Sequence, residues 1–205
     1  MSSVPSLRQL LSAWRFLVIV TFLGACLAIG LSFITPLQYS SSVRVLITQN
    51  NAGSTDPYTA LKFTERIASS LSELLYSSAF ANNIITKNKE FDATYLPVNE
   101  YEKRKAWRKM IETGVEPGTG IMTITAYHPN RDQARILVGA ASQEITVQAP
   151  NYFGYNVRVQ VIDAPLDSRW YTRPNFLKNA VLGMAMGFLL ALIWQLGFRQ
   201  GKRVG

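Results

Sequence analysis

A chain of 205 residues with a formal charge of +8 at pH 7, one cysteine and one histidine has room for a single soluble domain of ordinary size once membrane segments are set aside. The lone Cys26 excludes an intrachain disulfide. The charge looks like that of a nucleic-acid binder, yet Arg8, Arg15, Arg199, Lys202 and Arg203 lie in two terminal tails. Between the apolar runs that border those tails, 16 basic residues face all 13 acidic ones, a surplus of three that argues against a nucleic-acid partner.

Taken in chain order, Phe16 to Ile34 is uncharged and, at about 1.5 Å per residue, long enough for the roughly 30 Å of a hydrocarbon core. A cleaved signal peptide would have a shorter apolar region, of about 7–15 residues. Leu23-Gly24-Ala25-Cys26 offers the small residues that precede a lipidated cysteine, but Leu27, Ala28, Ile29, Gly30 and Leu31 continue the apolar run. We therefore read Cys26 as an inert membrane residue. Pro36 closes the helix.

Tyr39 to Thr48 alternates, with Val43, Val45 and Ile47 on one side and Ser42, Arg44 and Thr48 on the other, which predicts a half-buried strand. Asn50 to Thr55 reads as a polar loop. Asp56-Pro57 supplies an N-cap and a first-turn proline for a helix ending near Tyr76, with Phe63, Ile67, Leu71, Leu74 and Leu75 as its apolar stripe. A shorter helix follows over about Ser78 to Thr86, and Lys87 to Asn99, with Pro97, reads as loop.

Glu100 to Thr113 has helical propensity, with Trp107, Met110 and Ile111 on its apolar side and Gly114 as a stop. It carries Lys103, Arg104, Lys105, Arg108 and Lys109. Two readings fit these residues: a site for an anionic glycan, wall polymer or lipid headgroup, or a solvated face balanced by Glu100, Glu102 and Glu112. Charge runs on helices favour the second.

Glu116 to Gly120 turns the chain into a second alternating strand over Ile121 to Tyr127, with Met122, Ile124 and Ala126 inward. His128-Pro129 breaks it, and Asn130 can cap the next helix with Gln133 answering in a capping box. Ala134, Leu137, Val138, Ala141 and Ile145 form that helix's buried stripe. His128 has no second ligand type beside it and reads as a structural turn residue rather than a metal ligand or catalytic base. Asn156 to Asp163 is the third strand, with Val157, Val159 and Val161 inward, and Leu166 to Asn175 is an extended connector.

Asn179 to Phe198 is a second uncharged run of spanning length. Gly183, Gly187 and Ala191 recur on it every four residues, and Gly24 and Ala28 form a smaller patch on the first run. Such small-residue faces let helices approach closely; Gly is also simply frequent in membrane helices. The basic tails place both termini in the cytoplasm and the intervening segment outside it, with Trp14 and Trp194 near the inner interface and Tyr39, Trp170 and Tyr171 near the outer one. The expected protein is a membrane protein: a cytoplasmic tail (1–15), a transmembrane helix (16–35), one extracytoplasmic α+β domain with a small sheet covered by helices (36–175), a second transmembrane helix (176–198) and a cytoplasmic tail (199–205).

This order of parts resembles the polysaccharide co-polymerase family, the Wzz-type chain-length determinants and their short relatives in capsule synthesis. The resemblance rests on the strand Tyr39 to Ile47 directly after the first span, on His128-Pro129-Asn130-Arg131-Asp132-Gln133-Ala134, on the Val-rich strand ending Asp163-Ala164-Pro165 with Pro174 beyond it, and on the Gly-rich second span. It implies a homo-oligomeric ring or bell in the bacterial cytoplasmic (inner) membrane, among its lipids. Such an assembly sets the length of a lipid-linked glycan beside a polysaccharide polymerase. Three features depart from the pattern. The long helical insertion of larger members has no room here, Arg169, Trp170 and Tyr171 stand where a middle proline is expected, and no GxxxxGK[ST] loop follows the second span. A tyrosine kinase would have to be a separate protein, which gives the alternative of a kinase-activating adaptor acting through Arg199 to Gly205; a third reading is a subunit of an unrelated envelope machine. With scattered acids, one unpartnered histidine and no nucleophile motif, the chain is expected to be no enzyme and to need no cofactor or metal.

Overall fold

The computed structural model describes residues 14–49, 56–154 and 157–201. The expected loop Asn50 to Thr55, Arg8 and most of the C-terminal tail lie outside these residues. The chain divides into two compact units, residues 1–37 with 173–205 and residues 38–172.

The first unit is a pair of apolar helices. α1 is Trp14–Ser32 and α6 is Phe176–Gly201; α1 and the Phe176–Gln195 part of α6 are each long and apolar enough to cross a membrane. A cap of backbone bonds from Phe33, Ile34 and Thr35 to Gly30, Leu31 and Ser32 ends α1 just ahead of Pro36.

The second unit is an antiparallel sheet with helices on one face. Its elements are β1 (Tyr39–Gln49), α2 (Pro57–Leu75), α3 (Ser78–Lys87), a short 3₁₀ turn (Ala93–Tyr95), α4 (Glu100–Met110), β2 (Ile111–Val115), β3 (Ile121–His128), α5 (Arg131–Phe153), β4 (Val157–Val161) and β5 (Leu166–Asp167). The order across the sheet is β2-β3-β1-β4, with β5 also pairing β1. Pairing of Val43 with Ile124 and Val45 with Met122 sets one register, and Ile47 with Val159 the other. Because side chains alternate along a strand, these registers bring Val43, Val45, Ile47, Met122, Ile124, Val157 and Val159 to one face. There they are buried with Ile67, Leu71 and Leu75 of α2 and Leu137, Val138 and Ile145 of α5. The opposite face is hydroxyl-rich: Ser42 and Thr125 share a hydrogen bond of 2.9 Å, and Tyr127 donates to Glu112 at 2.9 Å.

Local chemistry accounts for the helix starts. Asp56 accepts from the Thr59 amide ahead of Pro57, Ser77 from Phe80, Asn99 from Tyr101 and Glu102, and Asn130 from Asp132 and Gln133; each satisfies an otherwise orphaned first-turn N–H. Gln133 does not close a capping box. Its side chain instead accepts from the Asp92 amide at 2.8 Å and donates to the Glu90 carbonyl at 3.1 Å, binding a distant segment to α5.

Four expectations need correction. The predicted helix to Thr113 ends at Met110, and Ile111–Val115 is a strand paired with β3. Its three β-branched residues, Ile111, Thr113 and Val115, favour that conformation, and Gly114 disfavours continuing the helix. Phe63 is exposed, because the buried stripe of α2 runs through Ile67, Ala68, Leu71 and Leu75. Val161 is 46 % exposed, lying at the end of β4 beyond the helix cover. Within the connector, Leu166–Asp167 pairs with Ser41 and Ser42 of β1, and Ser41 donates to Asp167 at 2.7 Å.

Candidate functional site: a glycine seam and a basic helix

In the helix pair, α1 and α6 meet through their smallest residues. A Cβ added to Gly183 would lie 2.5 Å from both the Ala28 Cβ and the Gly24 carbonyl oxygen; one on Gly24 would lie 2.5 Å from the Gly183 oxygen, and one on Gly187 2.7 Å from the Val20 oxygen. Ala25 and Ala191 are buried beside them. The structure thus brings together Gly24, Ala28, Gly183, Gly187 and Ala191 as one seam within a single chain. Asn179 and Ser32 join the helices by a 2.8 Å hydrogen bond, and the Phe33 and Phe176 rings lie 5.1 Å apart. The large side chains point away from the seam: Phe22, Leu23, Leu27 and Leu31 on α1, and Leu182, Met186, Leu190 and Ile193 on α6, are each more than half exposed. Cys26 is exposed on α1 as well.

The basic helix α4 is fastened by Trp107, which is buried and donates Nε1–H to the Leu75 carbonyl at 2.8 Å. Its cations do not form one pocket. Lys103 is turned inward, donating to Asn82 at 2.6 Å and standing 3.7 Å from Glu100. Arg104, Lys105, Arg108 and Lys109 are exposed. Lys103 and Arg104 line a shallow groove with Ser78, Ala81, Asn82 and Glu100 above Trp107, and Glu100 places a carboxylate among the cations.

Sequence reasoning did not find the ion pair between α3 and α5. Lys87 Nζ donates to both oxygens of Glu144 at 2.8 Å, and Gln148 donates to the same carboxylate at 2.8 Å. Burial pushes the Glu144 carboxyl up, but the bonds from Lys87 and Gln148 outweigh it and hold the group below its usual value. The only sequence signal was a glutamate on the otherwise apolar face of α5. His128 is also buried, at 6 % exposure, with Nδ1 accepting from the Asn130 amide at 3.0 Å; burial pushes its pKa down. Among the described residues, no three His, Cys, Asp or Glu side chains converge as metal ligands.

An antiparallel α+β unit that lies in the sequence between two apolar helices is the class that the fold defines. Residues 7–88 match the family model described as Wzz, chain length determinant protein, consistent with a Wzz-type polysaccharide co-polymerase. The match includes α1, β1, α2 and α3, and so the first of the stretches on which the resemblance rests; the other three lie outside it. No curated protein matches the chain.

Proposed function

We propose that the chain is a non-enzymatic, oligomeric scaffold of the bacterial cytoplasmic membrane that sets the chain length of a surface polysaccharide. The match of residues 7–88 to the chain length determinant model carries this reading. The helix pair supports the membrane part of it. A surface of exposed Phe, Leu, Met and Ile closed around a seam of Gly and Ala is costly in water and suits lipid, where close packing rather than hydrophobic burial holds helices together. Basic tails that lack acidic residues support cytoplasmic termini and an extracytoplasmic sheet domain.

In this reading several protomers gather a polysaccharide polymerase and its lipid-linked glycan, and the assembly biases when elongation stops. The glycine seam is occupied within each chain, which leaves the outer helix faces and the sheet domain for contacts between copies. The Lys103, Arg104, Lys105, Arg108 and Lys109 face is the candidate contact for an anionic ligand. Deleting the gene tests the function: a shifted modal length of surface polysaccharide, reversed by restoration, is the expected result. Sidedness is tested by Val98→Cys in a Cys26→Ala background, since Val98 is fully exposed. An impermeant thiol reagent should label it from outside intact spheroplasts, and labelling only after lysis would overturn the placement.

A further inference from the structure

We propose that His128 is an acid-released latch that holds residues 88–96 against the N-terminus of α5. The segment has no long helix or strand of its own, and its attachment converges on a few groups. Phe91 and Leu96 are buried in the core, and Gln133 clasps the Asp92 amide and the Glu90 carbonyl. The rings of Phe91 and Tyr95 stand edge-on to His128 with centroids 6.3 Å and 4.9 Å away. The histidine is thus the point at which β3, the cap of α5 and this segment meet.

The hydrogen bonding requires a neutral ring. Nδ1 accepts from the Asn130 N–H at 3.0 Å, so the proton of the neutral imidazole sits on Nε2. Among the described residues Nε2 is buried without a hydrogen-bond partner, beside aromatic rings that can offer only a weak π acceptor. Adding a proton puts a second donor at Nδ1 against the Asn130 N–H and a charge on a ring that is 6 % exposed. Both effects oppose the docked arrangement, because a buried charge is stable only when paired.

The groups that face the ring do not remove that conflict. From the segment come Asp92 and Tyr95 and from β1 Tyr39, the register partner of His128; on α5 Arg131 is paired with Asp167 at 3.8 Å, so Asp92 is the charge that bears on an imidazolium. Asp92 attracts one, but its carboxylate is exposed and already accepts from the Thr94 amide at 3.0 Å and hydroxyl at 2.5 Å. Burial lowers the His128 pKa despite Asp92, so the latch's contribution is fully present above the free imidazole pKa of about 6.5 and is lost as pH falls through the lower folded-state value. Exposure of the latch to external acid rests on the extracytoplasmic placement proposed above; the latch itself does not.

Because His128 is the single histidine, its ring can be followed by NMR in the untagged full chain held in lipid nanodiscs, alongside hydrogen exchange of the Asp92 and Asn130 amides. The expected result is an Nε2–H tautomer at pH 7 that titrates below the free-imidazole value. The opening constant of both amides, that is, exchange divided by the intrinsic rate at each pH, should then rise by up to about tenfold per pH unit below 6.5, and this acid step should be absent in His128→Asn, which keeps an acceptor near the Nδ1 position but cannot be protonated. A ring that titrates at or above 6.5, or amide exchange that ignores its titration, would overturn the latch whether or not the variant folds. Because neither readout involves polysaccharide or sidedness, failure here leaves the scaffold reading standing, and failure of that reading leaves the latch standing.

Discussion

Asn179 of α6 donates its side-chain N–H to Ser32 Oγ of α1 at 2.8 Å, and the Ser32 hydroxyl in turn donates to the Ala28 carbonyl at 2.8 Å. This chain of bonds ties a polar residue on each helix to the small-residue seam. Interhelical hydrogen bonds within membranes contribute about 0.6 kcal/mol on average and up to about 1.7. Ser32→Ala and Asn179→Ala should each weaken the helix pair by an amount in that range, read from unfolding midpoints in mixed detergent. The double variant should cost less than the two singles summed, since both remove one bond. Strict additivity would show that the bond does not operate.

At the seam, the obstacle to substitution is backbone rather than flexible side chain. Gly183→Leu meets the Gly24 carbonyl and should destabilise the pair by about 1–3 kcal/mol, the usual cost of overpacking. Gly30→Leu is the control, because a Cβ there meets nothing within 4 Å. Equal unfolding midpoints for the two variants would contradict the seam.

The Lys87 and Glu144 pair gives a pH dependence with a definite sign. Glu144 has its folded pKa held below the usual carboxyl value, so its contribution is present above the unfolded pKa of about 4.3 and is lost as pH falls through the folded value. Lys87→Met removes the main cationic partner of a carboxylate that is only 8 % exposed and should cost about 1–3 kcal/mol at pH 7. Part of the acid sensitivity below pH 5 should disappear with it. A variant as stable as the parent at pH 7 would show that Gln148 alone satisfies the carboxylate.

The exposed cations of α4 separate two readings of the same residues. Changing Arg104, Lys105 and Arg108 together to Gln should leave folding stability within about 0.5 kcal/mol per site, as for solvated surface positions. Measured on cells, the same variant should leave the polysaccharide profile unchanged if the face is merely solvated, and a shifted profile would make it a ligand contact.

The elements that the sequence makes legible are those whose burial follows a simple period. Val43, Val45 and Ile47, Met122, Ile124 and Ala126, and the stripe from Ala134 to Ile145 are all buried because local pattern and tertiary contact agree. β2 was hidden because Glu100 to Met110 is strongly helical and nothing in Ile111–Val115 announces its partner. Its strand state depends on β3 and on the Tyr76 hydroxyl, which accepts the Thr113 N–H at 3.0 Å. α5 continues through Pro150 to Phe153, where the proline lies near the C-terminal end and breaks little of the ladder. The glycine stripes could be read from spacing, but not that each would find its partner within the same chain. Gln133 fits a capping box by position, and only the folded chain shows that it reaches residues 90 and 92.

The measurement that bears most directly on the central claim is the length distribution of surface polysaccharide, resolved on gels, from the parent strain, a strain lacking this gene, and that strain with the gene restored. The account predicts a shifted modal length or a loss of long polymer in the deletion, and recovery on restoration. An unchanged distribution in the deletion strain, when the parent strain is shown to make the protein, would contradict it.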